Sequence, residues 1–148
     1  MEELESTMKN IHLEFPGIRY TIIQEAKILS NLNKQKEEWV DKNYKHSFWD
    51  NIRLFADTLI DAMPYEEDPP RSIGVVLRNY EELVYVQFLI QCLLRVIKEI
   101  GVAQPDSAYI NSPLWDDVVE AAKHAYEVLM KDEDLDALLA AEEKRVVT

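Results

Sequence analysis

The sequence predicts an all-α protein: a single domain of five or six helices packed around a buried central helix at about residues 79–100. Three observations predict it. The stretch from Asn79 to Gly101, NYEELVYVQFLIQCLLRVIKEIG, has only Gln87, Gln91 and Arg95 as polar residues between Leu83 and Val96. Those three are four apart and form one narrow stripe on a helix, and a helix apolar over the rest of its surface is a buried one. Three Gly and six Pro in 148 residues are too few for the many turns of an all-β fold. Elsewhere, apolar residues recur every three or four positions, the helical period. The length sets one domain over 1–148, with 1–16 and 132–148 read as peripheral or frayed.

Taken in order, Leu4, Met8 and Ile11 give a weak amphipathic start that Pro16-Gly17 closes. Ile18, Ile22, Ile23, Ala26, Leu29 and Leu32 predict a helix over about 17–31. Residues 36–44 read as a short helix anchored by Trp39 and Tyr44. Phe48, Ile52, Phe55, Leu59 and Met63 predict a helix over 48–62, which Pro64 ends. The loop YEEDPPRS follows, and residues 73–77 are either a short extended piece or the lead-in to the central helix. Asn79 with Glu82 gives a capping-box-like start to that helix, and Lys98 with Gly101 marks its end. Tyr109 and Ile110 point inward from a turn. Ser112-Pro113 starts a helix over about 113–131, with Asp116 and Asp117 at its positive end. The tail holds one more helix, gripped by Leu135, Leu138 and Leu139.

Charge narrows the function classes. The chain carries 16 Lys and Arg against 28 Asp and Glu, a net charge of −12. Residues 1–53 have eight basic and nine acidic side chains (−1); residues 54–148 have eight and nineteen (−11). Nucleic-acid binding draws its affinity from basic side chains on phosphate, so none is expected here. The apolar run in the central helix is about 15 residues, short of the ~20 that cross a bilayer, so no membrane partner is expected. The start MEELESTMKN lacks the charge and apolar run of a signal peptide. Cys92 is the only cysteine, which suits a reducing compartment. The expected localisation is cytoplasmic.

Several blocks carry a resemblance. They are Trp39 with Tyr44; Leu54-Phe55-Ala56-Asp57-Thr58-Leu59; Asp68-Pro69; Ile73-Gly74 with Leu77; Glu82; Gly101; and Asp106-Ser107-Ala108-Tyr109-Ile110-Asn111-Ser112-Pro113-Leu114-Trp115, then Val118-Val119 and Ala122. In these the chain resembles a family of small uncharacterised bacterial proteins, common in actinobacteria, with a D-x-A-Y-I-x-S-P-x-W motif. The family pattern has two adjacent aspartates before Thr58, where this chain has Ala56-Asp57. The resemblance implies no established activity; some small proteins of this kind look like immunity or antitoxin components.

Two carboxylate groupings are candidate sites. Asp57 and Asp61 lie four apart, Glu66, Glu67 and Asp68 follow, and no Lys or Arg occurs from Leu54 to Pro70. Paired carboxylates can trade a proton or bind a divalent cation; more often they are a solvated acidic face. Asp116, Glu120 and His124 step by four along one helix face, a spacing found among metal ligands in helical bundles and equally on ordinary exposed helices. Trp49 cannot share a helix face with Phe48, so it is a candidate partner anchor. No Gly-x-Ser-x-Gly elbow, Walker A loop or G-x-G-x-x-G is present, and Cys92 lies inside the central run, where burial makes a thiol inert. No catalytic residue and no cofactor is assigned.

The expected function is a non-enzymatic binding protein with an acidic surface of Asp57, Asp61, Glu66, Glu67 and Asp68, helped by Trp49, facing a basic protein partner of the immunity or antitoxin kind. The alternative is a metal-binding protein or metal-dependent hydrolase using Asp116, Glu120 and His124. A homodimer formed through Trp49 or the C-terminal helix is a third reading.

Overall fold

The computed structural model describes residues 13–37, 57–63, 67–101 and 104–147. Six α-helices are bounded within them: α1 (Pro16–Leu29), α2 (Leu32–Gln35), α3 (Tyr80–Ile100), α4 (Asp106–Ile110), α5 (Pro113–Met130) and α6 (Leu135–Val147). Residues 57–62 are also helical, and Pro69–Ser72 is a 3-10 turn. Among the described residues there is no strand beyond one isolated bridge between Ile73 and Leu77. The protein is an all-α, single-domain helical structure. Trp39, Tyr44, Phe48, Trp49, Ile52 and Phe55, and with them the helix expected over 36–44 and most of that over 48–62, lie outside the described residues.

Helix limits follow their local chemistry. Pro16 stands at the first position of α1, where its missing N–H costs nothing. Asn79 Oδ1 accepts the Glu82 N–H (2.9 Å) at the start of α3, but the box is not reciprocal. The Glu82 carboxylate takes the Arg78 N–H instead (2.7 Å) and turns inward. Gly101 ends α3 with φ +100°, a conformation few side-chain-bearing residues adopt. The Tyr109 hydroxyl donates to its carbonyl and ties α4 to that end. Ser112 Oγ accepts the Leu114 N–H (3.2 Å) and Pro113 is the first residue of α5.

The stretch 73–77 resolves as a tight loop. The Ser72 carbonyl accepts the N–H groups of Val75, Val76 and Leu77 (3.1, 3.0 and 3.1 Å), and Gly74 turns the chain with φ +89°. Residues 14 and 15 donate to the carbonyls of Gly74 and Val75 (3.1 and 2.9 Å). This supplies the backbone partners that no second strand offers.

The described helices form a row, α3–α5–α1–α6, in which α5 packs on α3 and α1, and α1 on α5 and α6. Ala121, Ala122 and Ala125 are buried on α5; such small side chains let its two neighbours approach closely. Trp115, Val118, Val119 and Leu129 fill the remaining space with Ile22, Ile23, Ala26 and Leu29 of α1 and Leu83, Val86, Leu89, Leu93 and Val96 of α3. Unlike a helix shielded on all sides, α3 keeps one face in solvent. The Gln87, Gln91 and Arg95 stripe marks that face, but it is wider than the stripe: Tyr80 is 64% exposed, Phe88 53%, Val84 48% and Leu94 46%. The tail forms α6, fully burying only Leu138. Among the described residues no helix is long and apolar enough to cross a membrane.

Candidate functional site

The most organised polar site is one the sequence did not announce. Arg19 sits on the buried stripe of α1, spaced with Ile22, Ile23 and Ala26, and is fully enclosed. Its guanidinium uses all five N–H donors. Nη1 and Nη2 donate to the two Glu82 carboxylate oxygens (2.7 and 2.8 Å), and Nε donates to Glu133 Oε1. The remaining two N–H groups reach the carbonyls of Val76 and Leu129 (both 3.3 Å). Arg78 Nη2 donates to Glu133 Oε2 (3.2 Å), which also accepts the Asp134 N–H (3.1 Å).

One side chain of α1 thus binds the first turn of α3, the loop before it and the turn joining α5 to α6. Burial alone lowers the affinity of Arg19 for its proton; the hydrogen bonds and charge of Glu82, then of Glu133, outweigh it and hold the pKa above the ordinary arginine value. A planar five-donor fork with bidentate geometry suits Arg and not Lys.

Beside this network opens a cleft of about 420 Å³, with Arg78, Asn79, Glu81, Lys131 and Asp132 on its rim. No Ser, Thr, Cys or His is among the residues that line it. Its inner carboxylates, Glu82 and Glu133, are already held by arginine. The arrangement is that of a clamp between helices.

A second buried polar group, also unmarked in the sequence, stands at the other end of α1. Gln35 Nε2 donates to the carbonyls of Ile28 and Leu29 (2.8 and 3.0 Å), and Gln35 Oε1 accepts the Trp115 indole N–H (2.8 Å). It caps the last turn of α1 while fixing the largest side chain of the core.

Of the residues expected to meet a partner, Asp57, Asp61, Glu67 and Asp68 are all exposed. Leu59, Ala62 and Met63 of the same segment are buried. At 100° per residue these lie opposite Asp57 and Asp61, so the pair stands on the outer face of an anchored turn. Glu67 and Asp68 precede the 3-10 turn that the buried Ser72 anchors. Trp49 and Glu66 lie outside the described residues.

Asp116 and Glu120 edge a shallow groove of about 360 Å³ with Ser30, Asn33 and Lys123. Glu120 pairs with Lys123 (3.4 Å), and His124 lies beside Tyr85 with ring centroids 6.2 Å apart. Among the described residues, no three of His, Cys, Asp and Glu gather closely enough to hold a metal ion. Cys92 is buried, and its thiol pKa is raised, first by burial and then by the Asp117 charge, against the pull of Arg95.

Sequence held one signal for the clamp: an arginine in register with a buried apolar stripe, which a core tolerates only when paired. Its partners, Glu82 and Glu133, lie 63 and 114 residues away; the sequence marks Glu82 only as part of a helix start and Glu133 not at all. No curated protein and no solved structure matches the chain. A family profile matches residues 13–137, nearly the whole bundle including the clamp, and the chain accordingly belongs to the family described as Domain of unknown function (DUF7945).

Proposed function

We propose that this protein is a non-enzymatic binding protein that meets a basic protein partner through an acidic face made of Asp57, Asp61, Glu67 and Asp68, with Glu66 and Trp49 completing it. The observation that carries this reading is the outward placement of Asp57 and Asp61 on a turn anchored by Leu59, Ala62 and Met63. The stretch holds no basic residue from 54 to 70 within a chain of net charge −12. Opposite charge speeds association, and an aromatic anchor such as Trp49 supplies affinity once water is excluded. In the setting of small bacterial proteins that the sequence resembles, the partner is a basic toxin that the chain neutralises, as an immunity or antitoxin component.

The test is affinity capture from a lysate of the producing cell at low and high ionic strength. Partner recovery should fall about tenfold between ~0.05 M and ~0.5 M NaCl, as the Debye length shortens. The Asp57→Asn, Asp61→Asn, Glu67→Gln, Asp68→Asn variant should lose the same share at low salt. Recovery indifferent both to salt and to these four substitutions overturns the proposal.

A further inference from the structure

Helix α3 carries an outward face with an unusual composition for a surface. Tyr80, Val84, Phe88 and Leu94 are each between 46% and 64% exposed. They flank Gln87 and Gln91 along about 21 Å of helix, at 1.5 Å per residue. Large apolar side chains left exposed on one helix face mark a contact surface.

The charges on this face are arranged by end. Glu81 stands exposed at the N-terminal end, and Arg95 and Lys98 stand exposed toward the C-terminal end, with Glu99 beside them. The face is therefore neutral, two carboxylates against two cations, within a chain of net charge −12. We propose that the outward face of α3 is the contact surface of a two-fold, antiparallel dimer of this chain.

Three features favour a second copy as the occupant. A two-fold interface needs a self-complementary surface. Reversing one α3 against another brings the acidic end of each, Glu81, to the basic end of the other, Lys98. An axis between Phe88 and Gln91 then sets Phe88 against Gln91 and Val84 against Arg95, with Leu94 one residue away. A glutamine amide holds both a donor and an acceptor, and a polar residue in an apolar seam fixes register. Finally, two strongly acidic copies repel each other, and a neutral face is where that repulsion is least. A basic partner is drawn elsewhere, to the acidic surface, so this inference stands apart from the proposed function. The apolar area is small for a permanent dimer, and the pairing is weak, with Kd on the order of 10–100 µM.

Sedimentation equilibrium of the full chain from ~5 to ~500 µM tests it. The expected result is a monomer–dimer equilibrium that Phe88→Glu weakens at least about tenfold, with helicity and melting temperature at low concentration unchanged. Glu81→Lys alone should weaken the dimer, and Glu81→Lys with Lys98→Glu should restore it. Within one chain those two residues are about 25 Å apart along the helix, so rescue reports a contact between copies. A chain monomeric throughout the range overturns the proposal. In that case a melting temperature lowered by Phe88→Glu assigns the face to a segment of the same chain, and an unchanged one leaves it to water or to another protein. A dimer indifferent to Phe88→Glu, or a double charge reversal without rescue, also overturns it.

Discussion

Among the described residues, Glu25 is a side chain whose protonation the fold clearly alters. It lies at the edge of the buried stripe of α1, half-buried, with one carboxylate oxygen enclosed and without a hydrogen-bond partner. Burial pushes its pKa up to about 7. An unfolded glutamate titrates near ~4.3, so the folded state favours the protonated form. Its contribution to stability is complete below the unfolded value and is lost as pH rises through about 7. Urea unfolding at pH 5, 6, 7 and 8 should show stability falling by roughly 1 kcal/mol across that window, a figure discounted because the carboxyl is partly open to solvent. Glu25→Gln should flatten the fall, and an unaltered slope in that variant would assign it to another group. Nothing in the sequence singles out Glu25. The residues that were legible one at a time, Asn79, Gly101, Ser112 and Cys92, act through their nearest neighbours or through a long apolar run. Arg19, Gln35 and Trp115 act across 63, 114 or 80 residues, and such partners are set only by the packed helices.

At the scale of elements, apolar periodicity located α1, α3 and α5 to within about two residues, because each has one stripe that must leave water, and it placed one more helix in the tail without bounding it. It did not show how the elements are held to each other. That task falls to Arg19, which joins α1 to α3 and to the α5–α6 turn, with Arg78 as a second support for Glu133. Buried ion pairs are weak evidence of net stabilisation, since desolvation offsets much of the attraction, but removing one member strands the others. Arg19→Met should cost about 3–5 kcal/mol, measured by urea unfolding, because Glu82 and Glu133 remain enclosed. Adding Glu82→Gln should recover part of that loss by removing the stranded charge. A single substitution costing less than about 1 kcal/mol, or a double variant worse than the single, would show that Arg19 only fills space.

For the molecule as a whole, fold class and charge could be read directly, since both are sums over the chain. The order α3–α5–α1–α6 could not, because it depends on which stripes meet. The buried alanines at 121, 122 and 125 give α5 room for neighbours on two sides, and the exposed Val84, Phe88 and Leu94 show why an apolar run overstates burial. The candidate acidic face was legible in the same additive way, as an absence of basic residues from 54 to 70. That additive charge yields a prediction of its own. Of the net −12, the stretch 54–148 carries −11, so folding crowds like charges that the unfolded chain spreads apart. The Debye length shrinks from ~30 Å at 0.01 M to under ~10 Å above 0.1 M, and screening relieves this repulsion in the folded state more than in the unfolded one. The pairs Glu120–Lys123 and Glu142–Arg145 pull the other way, but solvent screening leaves such surface pairs weak. The Arg19 clamp is enclosed and little screened. The urea midpoint should therefore rise as NaCl goes from ~0.01 M to ~0.5 M. A midpoint that falls over that range would mean that surface ion pairs outweigh the summed repulsion, and that the acidity of this chain is locally compensated rather than a field that extends beyond its surface.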